Sequence, residues 1–381
     1  MIYHIMYPDK FIDSFIDDIY TLGLQDLNIF LIRGNKNDNE YVNTNKKVTY
    51  IGEDQNLYSI LSGINKNDVF CVHWYDFTIG DILLNFSNKI IVFAWGGEFL
   101  TIPEFRARNF LYDKFSKEFL KNTNNEDNKI KFNFLSKIKK YISNKKLSRR
   151  RDIQISNIDY IIISEKNHFE FNMYKKFNPT LNAEILNGFY NSNYDLAKAI
   201  KRQKIKNDFN ILLGNSADPT NNHFEAINLI ANLKGKIYCP LSYGDEKYKD
   251  QIIKYGTNIF GNNFIPMKEF LSREVYVDFL AEIDIVIFFH NRSQAFGNII
   301  TLLSLGKVIF LKPQNPIFHL IKSIGLNCYD VNKINDFDIK KLIALEKDNR
   351  ENNLSILEKN YSNEKRLNDL NKIIKLFEIN V

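Results

Sequence analysis

Short apolar runs and amphipathic stretches alternate along the whole chain. In the first half, the runs at 1–6, 28–32, 69–73, 89–94, 160–164 and 184–186 predict strands. Helical periodicity covers Lys10–Leu22 and the stretch around Gly80–Phe86. The second half repeats the rhythm, with strands expected at 209–213, 236–241, 283–289 and 307–311. Helices are expected near 222–233, 245–255, 270–280 and 297–305. A last helix, about 362–378, carries Leu367, Leu370, Ile373, Ile374 and Phe377 on one face. Strands alternating with helices predict an α/β chain built on parallel, doubly wound sheets.

Single cores stop growing near about 250–300 residues, so 381 residues predict more than one domain. The polar passage 194–208 reads as the connection. The expected division is an N-terminal domain at 1–200, a C-terminal domain at 201–360, and a helix at 361–381 that returns to the first domain. The N-terminal stretch reaches Asp9 and Asp13 at once, unlike a signal peptide, and no window is apolar enough to span a bilayer. Cys71, Cys239 and Cys328 stand apart, without the pairing of a metal site or disulfide framework. A reducing, cytoplasmic setting is the expectation, with each cysteine acting as a small buried hydrophobe.

The net charge is +6, and residues 131–151 alone hold nine Lys or Arg and no acid. Phe134, Leu135, Ile138, Tyr141 and Ile142 fall on one helical face within that segment. A basic amphipathic helix reads as an element drawn to anionic lipids, with Lys137, Lys139, Lys140, Arg149, Arg150 and Arg151 as candidate contacts. A core-packing helix with a Lys-rich wet face would look the same. Nucleic acid is not expected as a partner, because no recognition motif accompanies the charge.

Two segments of the second half carry candidate chemistry. The apolar run ending at Leu213 stops at Gly214-Asn215-Ser216, and a helix pattern begins near Asn221. Such a turn brings backbone close to a ligand, and helix N-termini suit phosphates. In Phe288-Phe-His-Asn-Arg-Ser-Gln-Ala-Phe-Gly-Asn298, Arg292 suits diphosphate oxygens, Gln294 lies in the same loop, and Gly297-Asn298 opens a helix. Asn298 is placed to hold a ribose hydroxyl or a phosphate. Either turn alone could be an ordinary strand-to-helix connection, and His223 a helix-start hydrogen-bonding residue. The passage 262–276 resembles the loop under a nucleobase in nucleotide-sugar transferases, with Ile265, Pro266 and Met267 near the base edge.

In the first half, Val72-His73-Trp74-Tyr75-Asp76 and Phe93-Ala-Trp95-Gly-Gly-Glu98 end two strands. Aromatic faces beside carboxylates suit sugars, and a carboxylate can take a proton from an acceptor hydroxyl. Asp9 and His4 flank the end of the first strand. Trp74 and Trp95 are equally compatible with a core, and Glu98 with a helix cap. No cluster shows metal-ligand spacing in the sequence.

The segments ILLGNSADPTNNH, CPLSYG, FHNRSQAFGNIITLLSLGKVIFL and FAWGGEFL resemble the TDP-N-acetylfucosamine:lipid II N-acetylfucosaminyltransferases, glycosyltransferase family 56, which complete a lipid-linked repeat of enterobacterial common antigen. The resemblance covers residues 70–330 and implies a GT-B architecture, two Rossmann-like domains facing across a cleft with the donor nucleotide in the second. It implies catalysis without metal or other cofactor. Carried over, Gly214, Asn215, Ser216, Tyr243, Arg292, Gln294, Gly297 and Asn298 become donor-site residues. Glu98 becomes the candidate base, beside His73. The chain departs from the family pattern in carrying Glu at 98 in place of Asp, and at Tyr75-Asp76, which leaves sugar and acceptor open.

The expectation is a metal-independent transferase at the inner face of a bacterial plasma membrane. It would move a deoxy-amino or related sugar from a TDP- or UDP-donor to a lipid-linked saccharide. A transferase with a soluble or protein acceptor, a nucleotide-sugar epimerase, and a catalytically silent sugar-binding scaffold are the alternatives.

Overall fold

The computed structural model describes residues 1–36, 42–52, 56–126, 134–164, 168–189, 194–200 and 209–378, with side chains described up to Lys121 and again from Tyr141 in the helices flanking 127–133. Seven strands form the first sheet: β1 (Ile2–Met6), β2 (Asn28–Arg33), β3 (Thr49–Ile51), β4 (Val69–His73), β5 (Lys89–Phe93), β6 (Tyr160–Ile163) and β7 (Glu184–Asn187). Their order is β3-β2-β1-β4-β5-β6-β7, with every neighbouring pair parallel. Six more form the second: β8 (Asn210–Leu213), β9 (Lys236–Pro240), β10 (Phe264–Met267), β11 (Ile285–Phe288), β12 (Val308–Leu311) and β13 (Tyr329–Asp330). Their order is β10-β9-β8-β11-β12-β13, again parallel throughout.

Parallel strands are covered on both faces, so they read as continuous apolar runs. The central strands β4, β11 and β12 are buried at every position. The missed strands β3, β10 and β13 are edge strands of two to four residues, too short to carry a period. One of them corrects a functional expectation, because Phe264–Met267 is strand β10 and not a loop.

By its contacts, the chain divides into two compact units. One comprises Met1–Ala107, Phe132–Asn191 and Asn363–Val381, the other Arg108–Lys131 and Ser192–Ser362. The sequence reading counted 108–131 with the first domain. Hydrogen bonds carry this segment to the second unit: Asn222 Nδ2 donates to the Leu111 carbonyl (3.0 Å), and Glu225 accepts from the backbone of Phe115 and Ser116 (2.7 and 3.0 Å). The passage beginning at Tyr194 opens as a helix, Tyr194–Ala199, belonging to the second unit.

The final helix, Asn363–Glu378, buries Leu370, Ile373, Ile374 and Phe377 against Ile2, Ile16 and Phe93 in the core of the first unit. Arg366, itself buried, pairs there with Asp18. The basic segment is a helix, Phe134–Ser156. Its described part has two characters: Tyr141 and Ile142 are exposed, whereas Arg151, Gln154 and Ile155 are buried.

Candidate active site

In the second sheet, strand order reverses between β8 and β11, where open α/β sheets bind ligands at the carboxyl ends of their strands. The turn after β8 is built around Gly214. Its φ is +69°, and a Cβ there would stand 2.4 Å from His223 Nε2, so both conformation and space demand glycine. The Gly214 N–H donates to the Ile287 carbonyl (2.9 Å), tying the turn to β11. Asn221 holds the turn from inside, accepting from the Asn215 N–H (3.1 Å) and donating to the Ser216 and Asp218 carbonyls (3.2 and 3.0 Å).

The helix that follows, His223–Leu229, has only seven residues, and the His223 N–H already donates to the Tyr248 hydroxyl. One donor of the helix start expected to bind phosphate is therefore already used.

After β11, His290, Asn291 and Arg292 are all buried. Asn315 fixes their backbone, its Nδ2 donating to the carbonyls of His290 (3.1 Å) and Arg292 (2.9 Å). Arg292 Nη1 donates to the Ser293 carbonyl (3.2 Å), and Nη2 lies 3.6 Å from Asp218 Oδ2. The Gln294 side-chain amide lies 3.0 Å from the Thr220 hydroxyl oxygen. Both turns are thus stitched to each other. Ala295, at φ 58°, starts the helix Phe296–Ser304, where Asn298 Nδ2 donates to the Tyr276 hydroxyl (3.0 Å). At Gly297 a Cβ would meet no atom within 4 Å, so packing does not demand glycine there.

Tyr243 is exposed, and its hydroxyl accepts from Asn215 Nδ2 at 3.4 Å. Pro266 and Met267 end β10, two strands out from β8 on the same sheet edge. The connection 312–316 was expected on this rim from its place after an apolar strand, and Lys312 is the first residue after β12. It pairs with Asp113 and sits 4.3 Å from the centroid of the Phe289 ring. Burial lowers the pKa of Lys312, while Asp113 opposes that shift.

Buried polar atoms without a hydrogen-bond partner gather on this edge: Asn215 Oδ1, His290 Nε2, Asn291 Oδ1, Arg292 Nε and Ser293 Oγ. Each unmatched atom costs about 1–3 kcal/mol. Their concentration at a strand-order reversal is suited to a polar ligand. The Arg292 Nε–H and Ser293 hydroxyl are donors suited to an anion.

The first sheet reverses between β1 and β4. Trp74, directly after β4, has φ 81°, a strained conformation for a non-glycine residue. Its ring closes on Gly97, where a Cβ would lie 2.7 Å from the indole. Trp74 and Trp95 stand 6.0 Å apart, and Phe11 meets Trp95 edge-on at 6.3 Å. Beside this aromatic rim, Asp76 caps the helix Phe77–Leu83 through the Ile79 N–H (2.8 Å) and accepts from the Tyr7 hydroxyl. Arg33 Nη1 donates to Tyr7 (2.6 Å), a contact the sequence did not reveal. Asp9 is partly buried, and that burial raises its pKa.

Glu98 and His73 lie below this rim and are fully buried. Glu98 Oε1 accepts from the Trp95 N–H (2.9 Å), Oε2 has no partner, and burial pushes the carboxyl up to about 7. His73 is a core residue whose Nε2 faces His4 Nδ1 at 3.1 Å, and burial holds it neutral. Among the described residues, His4, Cys71 and His73 bring their ligand atoms within 4.8 Å of one another.

Arg151 is a correction. It is fully buried, donating through Nη2 to the carbonyls of Tyr75 (2.7 Å) and Glu98 (3.1 Å), so it braces the rim from beneath and cannot face lipid. Arg150 pairs with Asp81, while Arg149 is exposed. The side chains of Lys137, Lys139 and Lys140 lie outside the described residues.

The family model of 4-alpha-L-fucosyltransferases, glycosyl transferase group 56, matches residues 131–367. The chain belongs to this family. The matched stretch contains both turns of the second sheet; Glu98 and the aromatic rim precede it. Among solved structures, the chain is similar to a sucrose-phosphate synthase from Thermosynechococcus elongatus, at TM-score 0.63 and 9% identity over 100% of this chain and 99% of that one. It is also similar to a glycosyltransferase from Rickettsia africae, at TM-score 0.60 and 12% identity over 100% and 99%. A third is an α,α-trehalose-phosphate synthase from Burkholderia xenovorans, at TM-score 0.59 and 10% identity over 99% and 100%. These likenesses concern the fold, a GT-B plan of two Rossmann-like sheets. The group 56 chain is thus a glycosyltransferase, and no helix among its described residues is long and apolar enough to cross a membrane.

Proposed function

We propose that this group 56 transferase moves a deoxy-amino or related sugar from a TDP- or UDP-donor to a lipid-linked saccharide. The donor's diphosphate would lie on the edge shared by β8 and β11. The observation that carries this reading is the pair of unmatched buried donors, Arg292 Nε and Ser293 Oγ, with Arg292 joined through Asp218 to the loop that follows Gly214-Asn215-Ser216. As the bond to the sugar breaks, charge grows on the leaving diphosphate. Arg292, the Ser293 hydroxyl and the N-terminus of Phe296–Ser304 supply fixed positive groups there without a metal.

On the acceptor side, Trp74 and Trp95 offer faces for a sugar ring. Glu98 is our candidate base, because its unpartnered oxygen and raised pKa suit proton transfer near neutral pH. Its complete burial favours a second reading, in which the partly exposed Asp76 takes the proton and Glu98 holds the Trp95 backbone.

A lipid-linked acceptor is supported by the helix Phe134–Ser156. Exposed Tyr141 and Ile142 precede exposed Lys145, Lys146 and Arg149, a pattern suited to the inner face of an anionic membrane. Calorimetric titration with UDP, TDP and their monophosphates tests the donor site. Diphosphate binding at least tenfold tighter than monophosphate supports it, and equal affinities overturn it.

A further inference from the structure

Beneath the aromatic rim, the first sheet gathers three soft donor groups around one point. His4 on β1 stands in register with Cys71 on β4, and His73 follows two residues later, so all three leave the same face of adjacent strands. His73 Nε2 lies 3.1 Å from His4 Nδ1 and 3.7 Å from Cys71 Sγ. None is more than 3% exposed.

Asn28 sets the protons. Its Nδ2 donates to the Leu24 carbonyl (2.7 Å), so Oδ1 is the atom facing His4 Nε2 at 2.8 Å, and Nε2 must carry the hydrogen. With the hydrogen on Nε2, the lone pair of His4 Nδ1 points at His73 Nε2, into the cluster. An imidazole pinned by an outer acceptor with its free nitrogen turned inward is the usual state of a metal-ligating histidine.

The spacing agrees. With metal–nitrogen bonds of about 2.0 Å and metal–sulfur bonds of about 2.3 Å, ligands at tetrahedral or trigonal angles stand about 3.3–3.7 Å apart. Two of the three separations, 3.1 and 3.7 Å, need shifts of only a few tenths of an ångström, and the third lies within 4.8 Å. The surroundings select the ion. Phe15, Phe30 and Phe93 pack their rings against the two histidines. One thiolate with a monovalent cation is neutral, whereas a divalent cation would leave a net charge in this apolar pocket.

We propose that His4, Cys71 and His73 bind one Cu(I) ion through one thiolate and two imidazoles, clamping β1 to β4 at the strand-order reversal. Thiolate and imidazole donors are those that copper(I) favours. On binding, Cys71 releases its thiol proton to solvent. His73 shifts its proton from Nε2 to Nδ1, and the ion forms one bond to sulfur and two to nitrogen with no change of oxidation state. The proposal stands whether or not the donor-site reading holds.

Anaerobic titration of the full chain with Cu(I), in competition with bicinchoninate, tests it. One equivalent should bind in the wild type and in Cys239→Ser, a buried thiol of the other sheet, and at least 100-fold more weakly in Cys71→Ser. Asn28→Leu should weaken binding 10–100-fold. Should Cys71→Ser fail to fold, X-ray absorption of the copper-loaded wild type still decides, with one sulfur and two nitrogen neighbours expected. No stoichiometric binding, unchanged affinity in Cys71→Ser, another ligand set, or tighter binding of Zn²⁺ than Cu(I) would overturn the proposal.

Discussion

Arg292 Nη2 lies 3.6 Å from Asp218 Oδ2, which joins the turn after β11 to the turn after β8 across the strand-order reversal. Asp218 also accepts from the Thr220 N–H and hydroxyl through its other oxygen. Asp218→Asn keeps an acceptor for Thr220 while removing the negative charge beside Arg292. Nucleoside diphosphate binding should then hold or tighten severalfold. Arg292→Ala should weaken it by about 1.5–3 kcal/mol, roughly 10- to 150-fold. Calorimetry on the two variants checks the pair, and an unchanged affinity in Arg292→Ala removes that residue from the donor site.

Gly214 is constrained twice, by its φ of +69° and by His223 Nε2. Gly214→Ala should destabilise the fold by about 2–4 kcal/mol, combining backbone strain with overpacking. A urea midpoint equal to that of the wild type would refute this.

Glu98 makes a pH prediction with a definite sign. Its carboxyl is raised from 4.5 to about 7 by burial, so the folded state prefers it protonated. Its contribution to stability is therefore fully present below about pH 4.5 and is lost as pH rises towards about 7. Glu98→Gln removes that dependence. Its stability relative to wild type should rise by up to about 3 kcal/mol across this interval. A constant difference in denaturation midpoints would show that Glu98 does not titrate there.

The same variant separates the two readings of the base. If Glu98 takes the acceptor proton, the pH–rate profile of the wild type climbs through about 7, and Glu98→Gln abolishes transfer while donor binding persists. If Asp76 does so, Asp76→Asn abolishes transfer and Glu98→Gln retains most of it.

The basic helix divides into lipid-facing and structural positions. Lys145, Lys146 and Arg149, replaced together by Gln, should leave stability within about 0.5 kcal/mol of wild type. They should cost about 1 kcal/mol of anionic-membrane binding per charge, roughly 100-fold in all. Arg151→Gln should do the reverse, destabilising the fold by about 2–5 kcal/mol with little effect of its own on lipid affinity. Liposome co-sedimentation and thermal denaturation distinguish the two sets, and unchanged sedimentation of the triple variant would refute the lipid contact.

Much of this plan was legible because parallel strands announce themselves as apolar runs. β4 and β11 were readable to within two residues, and the two turns followed from the glycine and polar residues at their ends. Arg151 was not legible, since a buried arginine inside KKLSRRR looks like every other cation there; only its carbonyl partners at Tyr75 and Glu98 separate it. The His4–Cys71–His73 cluster was hidden by sequence distance. The alternation of Cys71 and His73 on one strand face was visible, but the register that brings His4 alongside is a property of the folded sheet. β10 was missed because Pro266 interrupts a four-residue edge strand.

The central claim is transfer of a sugar from a nucleotide donor to a lipid-linked saccharide. Incubation with a panel of TDP- and UDP-sugars and a polyprenyl-diphosphate saccharide, read by mass spectrometry, tests it most directly. The account predicts that one donor yields free nucleoside diphosphate while the acceptor gains the mass of one sugar, without added metal. Isomerisation of the donor, transfer to soluble sugars alone, or no consumption of any donor would contradict it.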